Sequence, residues 1–298
     1  QSKYLFKNMN IIPINMNIDM QMDIDMEIDI DTTNMDVVSN NLNQNQNNKN
    51  DDTNDDTNDD TNDDMEIDIS NNFMTFIIPS IGRESLKKSV QSLIQQSCEC
   101  WRAIIIYDGC TNILDEKILK DERLSYHEIK KTSGVINQAG HVRNYGMQFV
   151  ESKWVGFLDD DDCIGKDYVK YFFKNCELFH FDVFIYRMIQ EDLKIFPSLA
   201  SKDIIPCDIG ISFVMNIRLF RDCGLKFENS HCEDYDFLHL VKRKNYLLMI
   251  SHYIQYFVKS CEDDYIKKNI KLQYDLNNVV FINGVNPNCL INYYNLMK

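Results

Sequence analysis

Hydrophobic and polar positions follow different patterns before and after Phe73. From Met16 to Asp31, Met or Ile at each even position alternates with Asn, Asp, Gln or Glu at each odd position. Such alternation is typical of a half-buried strand, but its polar face would be almost entirely carboxylate, so a similar partner strand would oppose like charges. After Phe73, continuous apolar runs of strand length lie between segments with helical spacing. The folded part of the chain is therefore expected to begin at Phe73.

The first 72 residues are low in complexity. They contain the repeat DDTNDDTNDDTNDD at Asp51–Asp64, and the word MEIDI occurs at Met26–Ile30 and again at Met65–Ile69. Sequence of this kind cannot bury enough apolar surface to offset the entropy lost on ordering. The repeat has no Gly, which an EF-hand calcium loop requires at its sixth position. We predict a disordered acidic tail over residues 1–72, whose alternating segment can gain order on a partner.

The runs after Phe73 predict an α/β domain over residues 73–262. Strands are expected at 73–79, 101–107, 154–158, 182–188, 211–217, 246–250 and 253–258, and helices at 85–96, 139–150, 166–179 and 233–244. Because most of these strands are continuously apolar rather than alternating, the sheet is expected to be mostly parallel and covered on both faces by helices. Residues 263–298 are expected to form a helix and a loosely packed extension.

Charge is unevenly distributed along the chain. The protein has 46 acidic and 31 basic residues, for a formal net charge of -15. Residues 1–72 hold 17 of the acidic and 3 of the basic residues, which leaves 29 acidic and 28 basic residues for the body. Neither part carries the basic field that nucleic acid or an anionic membrane attracts, so neither partner is expected.

The ten cysteines all lie between Cys98 and Cys289, without the paired spacing of a structural zinc site. The sequence shows no secretory signal and no apolar run approaching ~18 residues. We therefore expect a soluble cytoplasmic protein with no integral membrane segment and with reduced, mostly buried thiols; a disulfide framework is the alternative. Abundant Asn, Ile and Lys resembles proteins from AT-rich genomes, such as those of large DNA viruses or protists, and for a viral protein the compartment would be the host cytoplasm.

Polar residues follow three of the expected strands at the point where each strand ends. They are Ser80–Arg83, Asp108 with Gly109, and the four aspartates Asp159–Asp162. The carboxyl ends of parallel strands meet at one edge of a sheet, which is where open α/β sheets bind ligands. Four adjacent carboxylates at that edge suit a hard divalent cation with oxygen ligands to spare for a diphosphate. A solvated acidic loop that caps the next helix is the alternative.

Four motifs in order carry a resemblance to a known family. They are TFIIPSIGRESLKKSVQSLIQQS, AIIIYDGCTN, GHVRNYGMQFVESKWVGFLDDDD and GLKFENSHCEDYDFLHLVKRKNY, within residues 74–259. In this order they resemble family 2 glycosyltransferases of the GT-A fold, a Rossmann-like α/β fold with a mixed, mostly parallel sheet. The resemblance implies a nucleotide-sugar donor such as a UDP-sugar, a manganese or magnesium ion, inversion at the anomeric carbon, and a glycan, protein or lipid acceptor.

The resemblance also implies roles for individual residues. Asp108 matches the aspartate that contacts the donor base, and Asp159 and Asp161 match the family's DxD pair. Asp161 is expected to bind the metal with help from Asp159, while Asp159 or Asp160 contacts the ribose. Further residues placed against the donor or substrate are Pro79, Ser80, Arg83, Arg143 and Glu233.

Asp234, in the segment CEDYDF, matches the family's catalytic base. An acceptor hydroxyl that attacks the sugar must lose a proton, and a positioned carboxylate can take it. Attack opposite the departing diphosphate then gives inversion, as in an inverting glycosidase with the acceptor in place of water. The alternative for Asp234 is a helix N-terminal carboxylate favoured by the helix dipole.

The sequence also departs from the family pattern. Tyr107 stands where a second acid usually precedes the aspartate of the second motif, and Leu225 stands where a second Gly is common. None of His231, His239 and His252 falls where some relatives place a third metal ligand, and Cys261 lies nearer that position. These departures leave a second interpretation open, in which a degenerate GT-A scaffold recruits a basic partner through the acidic tail. A nucleotidyltransferase is less favoured, because the segment PSIGRES lacks a Gly-rich phosphate loop.

Overall fold

A computed structural model of the protein describes residues 73–135, 138–267 and 279–284. The expected tail, residues 1–72, and most of the expected extension lie outside the described residues. The strands are β1 Met74–Ser80, β2 Trp101–Asp108, β3 Leu124–Ile129, β4 Trp154–Phe157, β5 Cys163–Ile164, β6 Val183–Ile189, β7 Ile195–Phe196, β8 Phe213–Asn216, β9 Leu248–Phe257 and β10 Val280–Ile282. The helices are α1 Leu86–Ile94, α2 Glu116–Leu119, α3 Gln138–Gly146, α4 Tyr168–Leu178, α5 Arg218–Arg221, α6 Glu233–Arg243 and α7 Glu262–Lys267.

The strands that the structure describes form one mixed sheet. Its main path runs β10-β9-β6-β8-β4-β1-β2-β3, with β5 paired to β9 and β7 paired to β6. The pairs β1–β2, β2–β3, β1–β4 and β6–β9 are parallel, whereas β8 runs antiparallel to both of its neighbours. The expected α/β fold with a mostly parallel central sheet is confirmed. Because β1, β2 and β4 are parallel neighbours, their carboxyl ends share one edge.

The core lies on both faces of the central strands. Every residue of β1 is buried, as are all but one of β2, so helices and loops cover both faces as the continuous apolar runs predicted. On α1, Leu86, Val90 and Leu93 form the buried stripe at helical spacing. Helix α3 packs closely on β1 and β2, and Gly146 permits this approach, since a Cβ there would lie 2.8 Å from the Ile77 side chain.

Four of the described strands, β3, β5, β7 and β10, were not predicted from the sequence pattern. Strand β3 is an edge strand with half-exposed residues, so it lacks a continuous apolar run, while β5 and β7 have only two residues each. Strand β10 lies in the segment expected to be a helix and extension, where it pairs antiparallel with β9. The two runs expected at 246–250 and 253–258 are instead one strand, β9, which buries Ser251 and His252 in its middle. Because Ser251 and His252 are polar, they interrupt the apolar run in the sequence although the strand is continuous.

Within the described ranges, we find no helix with both the length and the apolar character needed to cross a bilayer.

Candidate active site

A pocket of about 390 Å³ opens at the shared carboxyl edge of β1, β2 and β4. It brings together residues that are far apart along the chain. Those singled out from the sequence that line it are Pro79, Ser80, Arg83, Asp108, Asp159, Asp160 and Asp161. The three strand ends therefore meet in one cleft, which we call the edge pocket.

Asp108 ends β2 at one side of the edge pocket. Its side chain is buried, and its Oδ1 accepts a hydrogen bond of 2.6 Å from the backbone N–H of Thr132. Its Oδ2 is also buried but has no hydrogen-bond partner among the described residues. Gly109 follows with φ +74°, and a Cβ there would lie 2.4 Å from the Lys131 Cβ, so only Gly allows this turn. The turn presents a carboxylate oxygen that still needs a donor.

The loop between β1 and α1 is held by Asp160. One carboxylate oxygen, Oδ2, accepts from the Ser80 hydroxyl at 2.8 Å and from the Ile81 N–H at 3.2 Å, while Oδ1 accepts from Arg83 Nη1 at 2.7 Å. Asp160 is only 3% exposed. Both oxygens of Asp160, and the hydroxyl of Ser80, are therefore already occupied within the protein.

Arg143, on α3, joins two parts of the site. Its guanidinium is buried, and Nη2 donates to Asp159 Oδ1 at 2.6 Å. On the other side, Nη1 lies 2.9 Å from Glu233 Oε1 and 3.4 Å from Asp234 Oδ1. Burial by itself lowers the pKa of Arg143, but the neighbouring carboxylates outweigh burial and raise it. Arg143 is thus a permanent cation between the aspartate run and the start of α6.

Asp234 sits in the first turn of α6 beside Glu233. Burial raises the pKa of Asp234 to about 7; Arg143 acts in the opposite direction, and the charges of Glu233 and Asp159 add to the rise. Its side chain nevertheless keeps 23% of its surface exposed. Asp234 does not line the edge pocket, and its link to that pocket runs through Arg143 to Asp159. It is a carboxyl group that can change protonation near neutral pH.

Asp161 is paired more loosely than the other three aspartates. Its side chain is 26% exposed, and among the described residues Arg83 Nη1 approaches its Oδ2 at 3.3 Å. In the part of the chain that the structure describes, no three His, Cys, Asp or Glu residues are grouped so that they could hold a metal ion. Of the four carboxylates that line the pocket, Asp159 and Asp161 are the two that are partly exposed. Two such carboxylates match the binding of Mg²⁺ through one or two carboxylates plus substrate phosphates rather than an all-protein cage.

Asp162 completes the run and is not part of the edge pocket's lining. Its Oδ1 accepts from the Lys259 N–H at 2.9 Å. Burial raises the pKa of Asp162 to about 7, with a further rise from Asp159. The repulsion among the four aspartates is thus relieved mainly by Arg83, Arg143 and backbone N–H groups, together with this tendency of Asp162 to hold a proton.

Comparison with known proteins gives the family. The model of Glycosyl transferase family 2 matches residues 75–232, more than half of the chain. This chain belongs to glycosyl transferase family 2. The sequence resemblance is confirmed, and Asp234 lies just beyond the matched segment.

The family 2 chain is similar to two bacterial proteins. It is 30% identical over 180 residues to an uncharacterized glycosyltransferase of Rickettsia bellii, a match covering 51% of this chain and 25% of that one. It is 31% identical over 99 residues to the putative teichuronic acid biosynthesis glycosyltransferase TuaG of Bacillus subtilis, covering 32% and 38%. The family 2 chain therefore matches well under half the length of these relatives.

The fold of the family 2 chain is similar to that of S. aureus TarS. The structure of TarS 1–349 in complex with UDP-GlcNAc matches with a TM-score of 0.52 and 19% identity over 64% of this chain and 58% of that one. TarS 1–349 in complex with UDP matches with a TM-score of 0.50. At this identity the likeness establishes the GT-A-like fold.

Three lining residues of the edge pocket were missed from the sequence: Gln138, Ala139 and Val142. Ile81, within the expected segment Ser80–Arg83, lines the pocket as well. Ile81 is 53% exposed although it is a large apolar side chain. Ala139 lies one helical turn before Arg143, so helical spacing from that residue was the signal that could have placed α3 against the pocket. Ile81, Ala139 and Val142 therefore add apolar surface to a pocket that the aspartates make acidic.

The lining of the edge pocket includes none of the three histidines considered as metal ligands. His231 is exposed before α6, His239 stacks on Tyr235, and His252 is buried in β9. Cys261, the residue nearer the family's expected position, has its sulfur 2.7 Å from the sulfur of Cys163.

Proposed function

We propose that this protein is a metal-dependent inverting glycosyltransferase that transfers a sugar from a nucleotide-sugar donor, such as a UDP-sugar, to an acceptor hydroxyl. One observation carries the proposal. The edge pocket gathers Asp108, Asp159 and Asp161, and Arg143 bridges Asp159 to Asp234 at the start of α6. Residues for holding a donor and for accepting a proton are thereby brought to adjoining places.

The nucleotide is assigned to the side of the edge pocket formed by Asp108. The unpartnered Oδ2 of Asp108 is a buried acceptor, and an unsatisfied buried acceptor is costly unless a ligand supplies a donor. The ring N–H of a pyrimidine such as uracil is such a donor, and Ile81, Ala139 and Val142 offer apolar surface to the ring. The UDP and UDP-GlcNAc complexes of TarS make UDP-sugars the first donors to test.

The donor diphosphate is assigned to Asp161 and Asp159 through a shared divalent cation, manganese or magnesium. A cation bound there would neutralise the charge that develops on the departing diphosphate. Asp161 is suited to the ligand role because it is half-open and loosely paired, whereas Asp159 offers the oxygen that Arg143 leaves free. Arg83, which is 48% exposed beside Asp161, can turn toward phosphate oxygens.

Asp234 is assigned the role of general base. Its carboxylate keeps an exposed face, and burial holds its pKa at about 7, where a base is both ionised and able to accept a proton. Attack by the activated hydroxyl from the side of Asp234, opposite the diphosphate, inverts the anomeric carbon. Inversion requires that the base and the leaving group lie on opposite faces of the anomeric carbon, so the sugar would lie between Asp234 and the diphosphate.

Three residues first placed against the substrate are better assigned to positioning. Arg143 is buried with both terminal nitrogens paired, Glu233 is only 7% exposed and held by Arg143, and Asp160 is saturated by the β1–α1 loop. Arg143 orients Asp159, which lines the edge pocket, and also Asp234, which does not. Glu233 anchors Arg143, and Asp160 orients Arg83.

The test uses the full chain with manganese or magnesium and a panel of UDP-, GDP- and CMP-sugars. In a thermal-shift assay, the melting temperature should rise with one donor class, and only when metal is present. Proton NMR of the slowly hydrolysed donor should show the sugar anomer with inverted configuration first. If no donor changes the melting temperature with or without metal, the proposal fails, and the alternative of a degenerate GT-A scaffold without activity is favoured. Retention of configuration would overturn the inverting mechanism while leaving the donor assignment intact.

A further inference from the structure

Two cysteines on separate parts of the chain face each other behind the aspartate run. The sulfurs of Cys163, on β5, and Cys261, before α7, are 2.7 Å apart, although the residues are 98 positions apart in sequence. Both are thiols in the structure. A disulfide bond is about 2.05 Å long, so a shift of less than about 1 Å would bring the two sulfurs to bonding distance.

The backbone on both sides of the pair is already fixed. Cys163 pairs with Phe257 in the β5–β9 ladder, and Phe257 lies four residues before Cys261. The Lys259 N–H donates to Asp162, and the Lys166 N–H donates to Glu262 at 3.0 Å. Asp162 and Lys166 flank Cys163, whereas Lys259 and Glu262 flank Cys261, so both hydrogen bonds hold the two segments together. The approach of the sulfurs is therefore held by the fold and does not depend on two flexible side chains.

The surroundings allow one of the two sulfurs to react. Cys163 is 3% exposed in a small apolar cluster with Ile189, Ile254, Phe257 and Tyr265. Cys261 is partly exposed at the rim of this cluster. A reagent from solvent can thus reach Cys261, whereas Cys163 is buried and is reached only through Cys261.

We propose that Cys163 and Cys261 are a site of reversible disulfide formation. With glutathione disulfide as the oxidant, the Cys261 thiolate attacks one sulfur of the reagent and one glutathione thiolate leaves. Cys163 then gives its proton to solvent and attacks the Cys261 sulfur, and the second glutathione thiolate leaves with the electron pair. Two protein thiols and one glutathione disulfide become one protein disulfide and two glutathione molecules. This inference does not depend on the proposed transferase activity.

The bond would restrain the wall of a second pocket beside the edge pocket. This pocket, of about 390 Å³, is lined among others by Arg83, Asp161, Cys163, Lys259 and Cys261, and it shares Arg83 and Asp161 with the edge pocket. Cys163 follows Asp161 by two residues, and Lys259 precedes Cys261 by two. Oxidation thus ties the segment after β9 to the segment that carries Asp161.

The test is a disulfide map of the folded full chain after equilibration with glutathione disulfide, alkylation and trypsin digestion. The expected product joins residues 154–166, which contain Cys163, to residues 260–267, which contain Cys261. It should disappear after reduction with dithiothreitol and be absent from Cys261→Ser. Cys100→Ser is the matched control, since it removes an exposed thiol that belongs to the Cys98–Cys100 CxC sequence and should leave the product unchanged.

The same samples give a stability readout. Closing a loop of this length is expected to raise the melting temperature of the oxidised protein by roughly 5 °C or more over the reduced protein. Cys261→Ser should lose this oxidation-dependent shift. The proposal is overturned if Cys163 stays fully alkylated in the oxidised folded protein, if Cys163 or Cys261 is joined to Cys289 or another thiol, or if oxidation lowers the melting temperature.

Discussion

Arg143 and Asp159 form an ion pair of 2.6 Å in which the arginine is buried and the aspartate keeps about a third of its side-chain surface open to the edge pocket. The arginine therefore fixes one oxygen of Asp159 and leaves the other side of the carboxylate accessible. The same guanidinium reaches Asp234, so a change in Arg143 should disturb both the proposed donor-binding residue Asp159 and the proposed base Asp234.

Arg143→Gln should destabilise the fold by roughly 3 kcal/mol or more near pH 8, because it leaves buried carboxylates without their cation. The loss should shrink near pH 5.5, where Asp234 takes up a proton as pH falls through its raised pKa of about 7. Urea unfolding at the two pH values measures the difference. Arg102→Gln is the control. Arg102 is 55% exposed and pairs with Glu151 at 3.8 Å, so its loss should lower the free energy of unfolding little at either pH.

Asp234→Asn should bind the donor as the wild type does and lose at least about 10²-fold in transfer rate, because an amide cannot accept the proton of the acceptor. Donor titration by calorimetry and an initial-rate assay separate the two effects. Asp236→Asn changes a neighbouring carboxylate in the same first turn of α6 and should retain activity. A variant of Asp234 that loses donor binding but keeps turnover would contradict the assignment.

The transfer rate should rise with pH through about 7 and then level off. Burial raises the pKa of Asp234 to that value, and only the ionised carboxylate acts as a base, so activity falls as pH drops below it. A pH profile of kcat/KM, which reports the pKa values of the free enzyme, measures this limb. Asp234→Glu should keep such a limb with a displaced midpoint, whereas the residual rate of Asp234→Asn should be flat across the same range.

Asp161→Asn should weaken metal-dependent donor binding by about 10-fold or more, since an amide is a poorer ligand for a hard cation than a carboxylate. In the wild type, EDTA should weaken binding to a similar level, and in the variant EDTA should add little further loss. Asp222→Asn, an exposed change at the end of α5, serves as the control. Equal sensitivity of Asp161→Asn and the wild type to EDTA would argue against a metal at Asp161.

Asp108→Asn should weaken binding of UDP by roughly 10- to 100-fold. Asn can still accept the Thr132 N–H through Oδ1, but it places an amide where the unpartnered Oδ2 now lies, so the acceptor for a ring N–H is lost. Competition between UDP and other nucleoside diphosphates measures the change in base preference. Unchanged UDP affinity and selectivity would remove Asp108 from the nucleotide site.

Much of the fold could be predicted from the sequence because its central strands are buried on both faces. Strands β1 and β2 show as continuous apolar runs, and Asp108 and Asp159 follow runs of this kind directly. Strand β3 could not be found this way, since an edge strand with half-exposed residues leaves no such run. Strand β9 was divided in two because its buried Ser251 and His252 look like a break.

Motif order and the polar residues after each strand are local properties of the chain, so the sequence was enough to indicate the family and where a candidate site lies. The different surroundings of the four adjacent aspartates became visible only in the folded protein. Asp160 is bound by the β1–α1 loop, Asp159 by Arg143 and Asp162 by the Lys259 N–H, while Asp161 is held more loosely, by Arg83 at 3.3 Å. The reason is physical: a carboxylate's partners come from segments distant in sequence, and their approach depends on how strands and helices pack.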